Sequence, residues 1–181
     1  MTRTVEIEHP IPSPLPLMSR TNVIDLAPVP RLLEALGVRL EGGRIIQLGA
    51  RGCFGIGELL DTYRPRRIVA YELQGGARGS VFDQAAREQH IPEADESFDA
   101  VFVYGFGELR PRWGTVLLEI ARVLSPRGVL VVQGAGDIAP TNASFRELSI
   151  LLQRASLSLA MNKTLAATKG HVLIARRVAP Q

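Results

Sequence analysis

Residues 96–132 read ESFDAVFVYGFGELRPRWGTVLLEIARVLSPRGVLVV. FDAVFVYG is a short apolar run rich in β-branched and aromatic residues, the pattern of a buried strand. RWGTVLLEIARVL repeats its apolar residues at helical spacing, so one face is made to pack and the other to be solvated. SPRG collects residues that turn a chain, and GVLVVQGAG is a second buried strand. Two buried strands joined by an amphipathic helix form the unit of a parallel sheet.

Working outward, the same alternation continues. VPRLLEALG is a short helix with Gly37 as its C-terminal cap. RIIQLG is a strand, GIGELLDTY a helix halted before Pro65, and RRIVAYEL another strand. SFRELSILLQRASL is a helix with Ser144 as its N-cap. LAMNKTLAAT and HVLIARRV, joined around Lys169 and Gly170, read as a closing antiparallel pair. Strands are expected near 44–48, 67–72, 99–104, 128–133, 160–168 and 171–178. ARGSVFDQAAREQ spaces Val81, Phe82, Ala85 and Ala86 as one helix, with no strand between Glu72 and Phe98. The fold class is α/β, a mostly parallel sheet closed by an antiparallel strand.

Residues 1–27 differ. They form a proline-rich arm, HPIPSPLPL, with one possible short strand at TVEIE; proline fixes φ and removes backbone donors. The division expected is an arm over 1–27 and a single domain over 28–181. Ile11, Leu15, Leu17 and Met18 give the arm reason to dock on the domain or on a second copy.

The 181-residue chain carries a net charge of +3, and its basic residues are scattered with few aromatics among them. That is the pattern of a solvated surface and not of a nucleic-acid face. No apolar run is long enough to cross a bilayer, and the start of the chain lacks a secretory pattern. Cytoplasmic localisation is the expectation. The single cysteine, Cys53, excludes an internal disulfide and a multi-cysteine zinc site, and reads as a small buried hydrophobe. His9, His90 and His171 show no ligand spacing, so no metal is expected.

In such sheets ligands bind beyond the carboxyl ends of the strands. The turn after the first strand, GARGCFGIG, is rich in glycine, which permits tight turning and close approach of a ligand to backbone. It lacks the Gly-Lys-Ser/Thr ending of a mononucleotide loop and the GxGxxG spacing of a dinucleotide loop.

The residues Ser97-Phe98-Asp99, then Glu119-Ile120, Arg122-Val123-Leu124, Pro126 and Gly128, resemble the class I S-adenosylmethionine-dependent methyltransferases. The resemblance extends from about Arg44 to about Val132 and is most specific in its second half. It implies the Rossmann-like fold of that family; the short stretch between Glu72 and Phe98 departs from it, with room for one helix and no third strand, so that edge of the sheet is expected to be trimmed. It also implies S-adenosylmethionine as cofactor. Aligned on Gly49, the chain has Gln47 where the family has an acid, with Arg51 and Cys53 at glycine positions. Arg51 brings bulk and positive charge toward a sulfonium; a shift of register brings Gly52 and Gly55 into use instead. Glu72 closes the second strand where the family's acid accepts from the ribose hydroxyls. The family's adenine-reading acid has no counterpart here; Arg87 and Glu88 fall nearest. The cofactor set is therefore Gln47, Gly49, Arg51, Gly52, Glu72 and Tyr104.

No catalytic residue is assigned. Tyr104, Glu108, Asp137 and His90 are the side chains offered near the acceptor. Each also has a plain structural reading as wall packing, a helix-start acid or a surface histidine. Trp113 reads as a packing anchor. Two functions follow: a small methyltransferase with a small-molecule acceptor, or a methyltransferase-like domain without activity that serves a protein partner. A homodimer is compatible with either.

Overall fold

The computed structural model describes residues 4–6, 28–49, 56–71, 90–104, 112–134, 138–139, 143–165 and 170–178. Its elements are β1 (Thr4–Glu6), α1 (Pro28–Ala35), β2 (Arg44–Leu48), α2 (Ile56–Tyr63), β3 (Arg67–Tyr71) and β4 (Phe98–Tyr104). There follow α3 (Trp113–Val123), β5 (Leu124–Gly134), α4 (Ala143–Arg154), β6 (Leu157–Thr164) and β7 (His171–Arg177). The strands form one seven-stranded sheet in the order β1-β3-β2-β4-β5-β7-β6. The first five in that order run parallel, and β7 pairs antiparallel with both β5 and β6.

Alternation sends the side chains of each strand to two faces. Ile46, Leu48, Val101, Val103, Leu130 and Val132 meet Trp113, Leu117 and Ile120 of α3 and Leu148 and Leu152 of α4. Ile45, Phe102, Val129 and Val131 meet Leu33 of α1 and Leu59 and Tyr63 of α2. The central strands are buried on both faces, which is why they read as nearly unbroken apolar runs.

The outer edge differs from expectation. Instead of a sheet cut short beside β3, Thr4–Glu6 pairs there in parallel, Thr4 opposite Arg67 and Glu6 opposite Val69. The possible strand at TVEIE thus belongs to the sheet: the outer backbone of β3 needs hydrogen-bond partners, and an extended segment supplies them. The stretch 73–89, read as a helix without a strand, lies outside the described residues, as does the arm over 7–27.

Three boundaries also move. SPRG, expected as a turn ahead of the strand, lies inside β5, whose register jumps from Phe98 opposite Leu124 to Ala100 opposite Val129. The turn is kept as a bulge. A Cβ on Gly128 would stand 2.9 Å from both the Leu124 side chain and the Ser125 carbonyl oxygen. α4 begins at Ala143, with Ser144 buried inside its first turn. It ends at Arg154, because Ser156 turns left-handed (φ 56°) and its carbonyl accepts from Val178. β6 therefore starts at Leu157, ahead of the expected 160.

The amino ends of the strands are fastened by ion pairs. The Asp99 carboxylate accepts from the Arg44 backbone N–H (2.9 Å), from Arg44 Nη2 (3.0 Å) and from Ser125 Oγ (3.3 Å). Burial alone would raise this carboxyl; the hydrogen bonds from Arg44 and Ser125 outweigh it and hold the group below its ordinary range. Arg122 donates to the carbonyls of Ile91 (2.7 Å) and Glu93 (2.8 Å), to Asp95 (2.6 Å) and to Glu119 (2.9 Å). It clamps the segment that enters β4 onto α3. Burial would raise Glu119 too, but Arg122, the Ile91 N–H and His90 together lower it. Arg177 donates to the Leu124 carbonyl and pairs with Glu96.

Candidate functional site at the carboxyl ends of the strands

β2 delivers its last side chains to the carboxyl edge and then turns at Gly49, whose φ of 92° is open to glycine and strained for any residue with a Cβ. The Gly49 N–H donates to the Tyr71 carbonyl at 2.9 Å, fastening the glycine turn to the end of β3, one residue before Glu72. The two proposed cofactor corners are thus neighbours in the sheet. Arg51, Gly52 and Glu72 themselves lie outside the described residues, as do Cys53, Arg87, Glu88, Glu108 and Asp137.

Gln47 points to the α1/α2 face and is 1% exposed, opposite Phe102 of β4. Two residues further along β4, on the same face, stands Tyr104, 3% exposed and opposite Gln133 of β5. Tyr63 comes down from α2 with its ring 5.9 Å from that of Phe102. Gln47, Tyr104 and Gln133 thus lie on one face of the sheet, and Tyr63, whose carbonyl accepts from the Gly42 N–H ahead of β2, approaches that face from its amino end. The hydroxyls of Tyr63 and Tyr104 are both buried and neither has a hydrogen-bond partner. Burial pushes both phenols well above their ordinary range, and for Tyr104 the nearby Tyr63 and Glu58 add to the effect. Both remain protonated, as hydrogen-bond donors.

The structure separates the candidate histidines. His90 lies against α3, its Nδ1 3.1 Å from Glu119 Oε2, in the segment that leads into the amino end of β4. It is part of the Arg122 clamp and not of the strand-end site. His171 stands opposite Gly134, the last residue of β5, with Nδ1 3.2 Å from Thr164 Oγ1. It is thus at the carboxyl end. Sequence reading had a usable signal for this: the first residue of a strand antiparallel to β5 must start where β5 stops. Trp113 is fully buried at the start of α3 and packs the core.

A methyltransferase-domain family model matches residues 60–132. This region takes in the second half of α2, then β3, β4, α3 and most of β5. The chain is 30% identical over 106 residues to a fatty-acid O-methyltransferase of Mycolicibacterium smegmatis, a match that covers 53% of this chain and spans 38% of the length of that relative. A SAM-dependent methyltransferase from Aquifex aeolicus superposes with a TM-score of 0.61 at 18% identity, covering 82% of this chain and 89% of the other. This is the class I methyltransferase fold. A second solved structure shares it: the 1,6-didemethyltoxoflavin-N1-methyltransferase of Burkholderia thailandensis, with 1,6-didemethyltoxoflavin and S-adenosylhomocysteine bound. Its TM-score is 0.56 at 17% identity, over 85% of this chain and 78% of that one.

A left-handed glycine follows β2, the buried Gln47 lies two residues before it, and a hydroxyl without a hydrogen-bond partner ends β4. Among the described residues no three His, Cys, Asp or Glu side chains gather as a metal site. Among them, too, no helix is long and apolar enough to cross a membrane.

Proposed function

We propose that the chain is a small S-adenosylmethionine-dependent methyltransferase acting on a small-molecule acceptor. The observation that carries the reading is the Gly49 turn fastened to the end of β3 beside a strand-end hydroxyl with no partner of its own. Bound there, S-adenosylmethionine supplies an electrophilic methyl group. Gly49 and Gly52 bring backbone to the cofactor, Gln47 offers an amide near it, and Glu72 offers a carboxylate to two ribose hydroxyls. Tyr104 closes the site from β4. The protein's contribution to methyl transfer is then alignment of the acceptor with the methyl group in a site held away from water.

Arg51 bears on the same reading. Its cation and bulk oppose a sulfonium unless the side chain points away, so Arg51→Gly strengthens cofactor binding if it faces the site. Calorimetry with S-adenosylhomocysteine is the test: saturable heat at micromolar to millimolar ligand is the expected result. No heat at millimolar ligand overturns the reading and leaves the inactive, partner-binding domain in its place.

A further inference from the structure

The hand of its connection sets β1 apart from the rest of the sheet. From β2 the chain passes through α2 and steps outward to β3. From β4 it passes through α3 to β5, and from β5 through α4 to β6, stepping the other way each time. β7 is antiparallel to both β5 and β6, so β5 and β6 run parallel. α2 packs on one face of the sheet, α3 and α4 on the opposite face. Reversing both the direction and the face preserves the hand, so these three connections share one. Parallel crossovers are right-handed in about 98% of cases. The passage from β1 to β2 runs through α1, which shares its face with α2, yet it steps inward where the α2 connection steps outward. Within one chain it is therefore left-handed.

We propose that the outer edge of β3 is an interface between copies of this chain, and that two copies exchange their Thr4–Glu6 strands. Exchange keeps the pairing of Thr4 with Arg67, Val5 with Ile68 and Glu6 with Val69 in each sheet. It replaces the left-handed connection by one that leads to another molecule, where the rule of hand does not act. Residues 7–27 separate β1 from α1; at ~3.3–3.6 Å per residue they span up to ~70 Å, enough to reach a neighbouring copy. Reciprocal exchange closes the assembly as a two-fold dimer. The opposite edge of the sheet is guarded. β6 carries a register shift between Leu159 and Met161 and the exposed Lys163, and both oppose pairing with a further strand. The inference concerns the β3 edge alone and does not depend on methyl transfer.

The test uses the full chain. Light scattering of the wild type should give twice the mass of one chain. Val5→Cys combined with Ile68→Cys, in a Cys53→Ser background, puts one thiol on each side of a register pair. Mild oxidation should then join two chains, seen as a double-mass band on a non-reducing gel. Val5→Pro and Glu6→Pro, made separately, break the pairing. Neighbouring residues of a strand turn their N–H groups to opposite sides, so one of the two removes a bond to β3. At least one of these variants should run as a single chain while keeping the helical circular dichroism of the wild type. If a proline variant fails to fold, the cysteine pair decides alone. A wild type of single-chain mass overturns the proposal, as does a cysteine pair that closes within one chain or does not close. Two folded proline variants that both remain dimers also overturn it, and place the dimer contact on another surface.

Discussion

The two ends of the sheet use their polar groups in opposite ways. At the amino ends, Asp99, Glu119, Glu93 and Asp95 each hold an arginine, and Arg122 alone joins two carbonyls and two carboxylates. At the carboxyl end of β4, the Tyr104 hydroxyl is buried without a hydrogen-bond partner. Among the described residues, the left-handed non-glycine residues Arg64, Glu96 and Ser156 adjoin amino-end segments, while Gly49 follows β2 at the carboxyl side.

The sharpest way to break the contrast is to cut the clamp. Arg122→Met leaves Glu119 half-buried and two carbonyls without their donor, and should cost about 2–4 kcal/mol in urea unfolding. S-adenosylhomocysteine affinity measured well below the melting temperature should stay within about twofold of wild type, because the clamp does not reach the strand-end site. Gly128→Ala comes next, at about 1–3 kcal/mol, because the new Cβ meets a backbone carbonyl that has little room to move.

Acid should act on the amino end in the same direction. Asp99 and Glu119 sit below their ordinary range when folded. Their contribution is therefore fully present above the unfolded carboxyl value of about 4 and is lost as pH falls through it toward the folded values. Thermal melts should be flat from neutral pH down to about pH 5 and fall below it, by on the order of 1 kcal/mol for these partly exposed pairs. Asp99→Asn should flatten part of that fall. The smallest effect should be a gain: Ser156→Gly relieves a left-handed residue and should add at most about 1 kcal/mol, read as a small rise in melting temperature.

Much of this was legible in the chain. The apolar runs around Ile45, Val69, Val101 and Val131 gave the parallel strands, because a strand buried on both faces needs an unbroken apolar sequence. The periodicity of LLEIARVL gave α3, because one helical face must be apolar to pack on a sheet. The start of the glycine-rich turn also followed, since Gly49 stands directly after β2 with a φ of 92°. The positions of β1 and of the β6 start were less legible. Three paired residues carry little pattern, and the end of α4 was set by the left-handed turn at Ser156.

Sequence by itself determined the sheet-and-helix alternation, because it follows from local periodicity. Only the tertiary structure decided that Thr4–Glu6 lies outside β3, that His90 belongs to a clamp, that His171 stands at the strand ends, and that Tyr63 meets the neighbourhood of Tyr104. Those are contacts between residues far apart in the chain, fixed by the packing of α2 and α3 on opposite faces of one sheet. No spacing along the sequence encodes them.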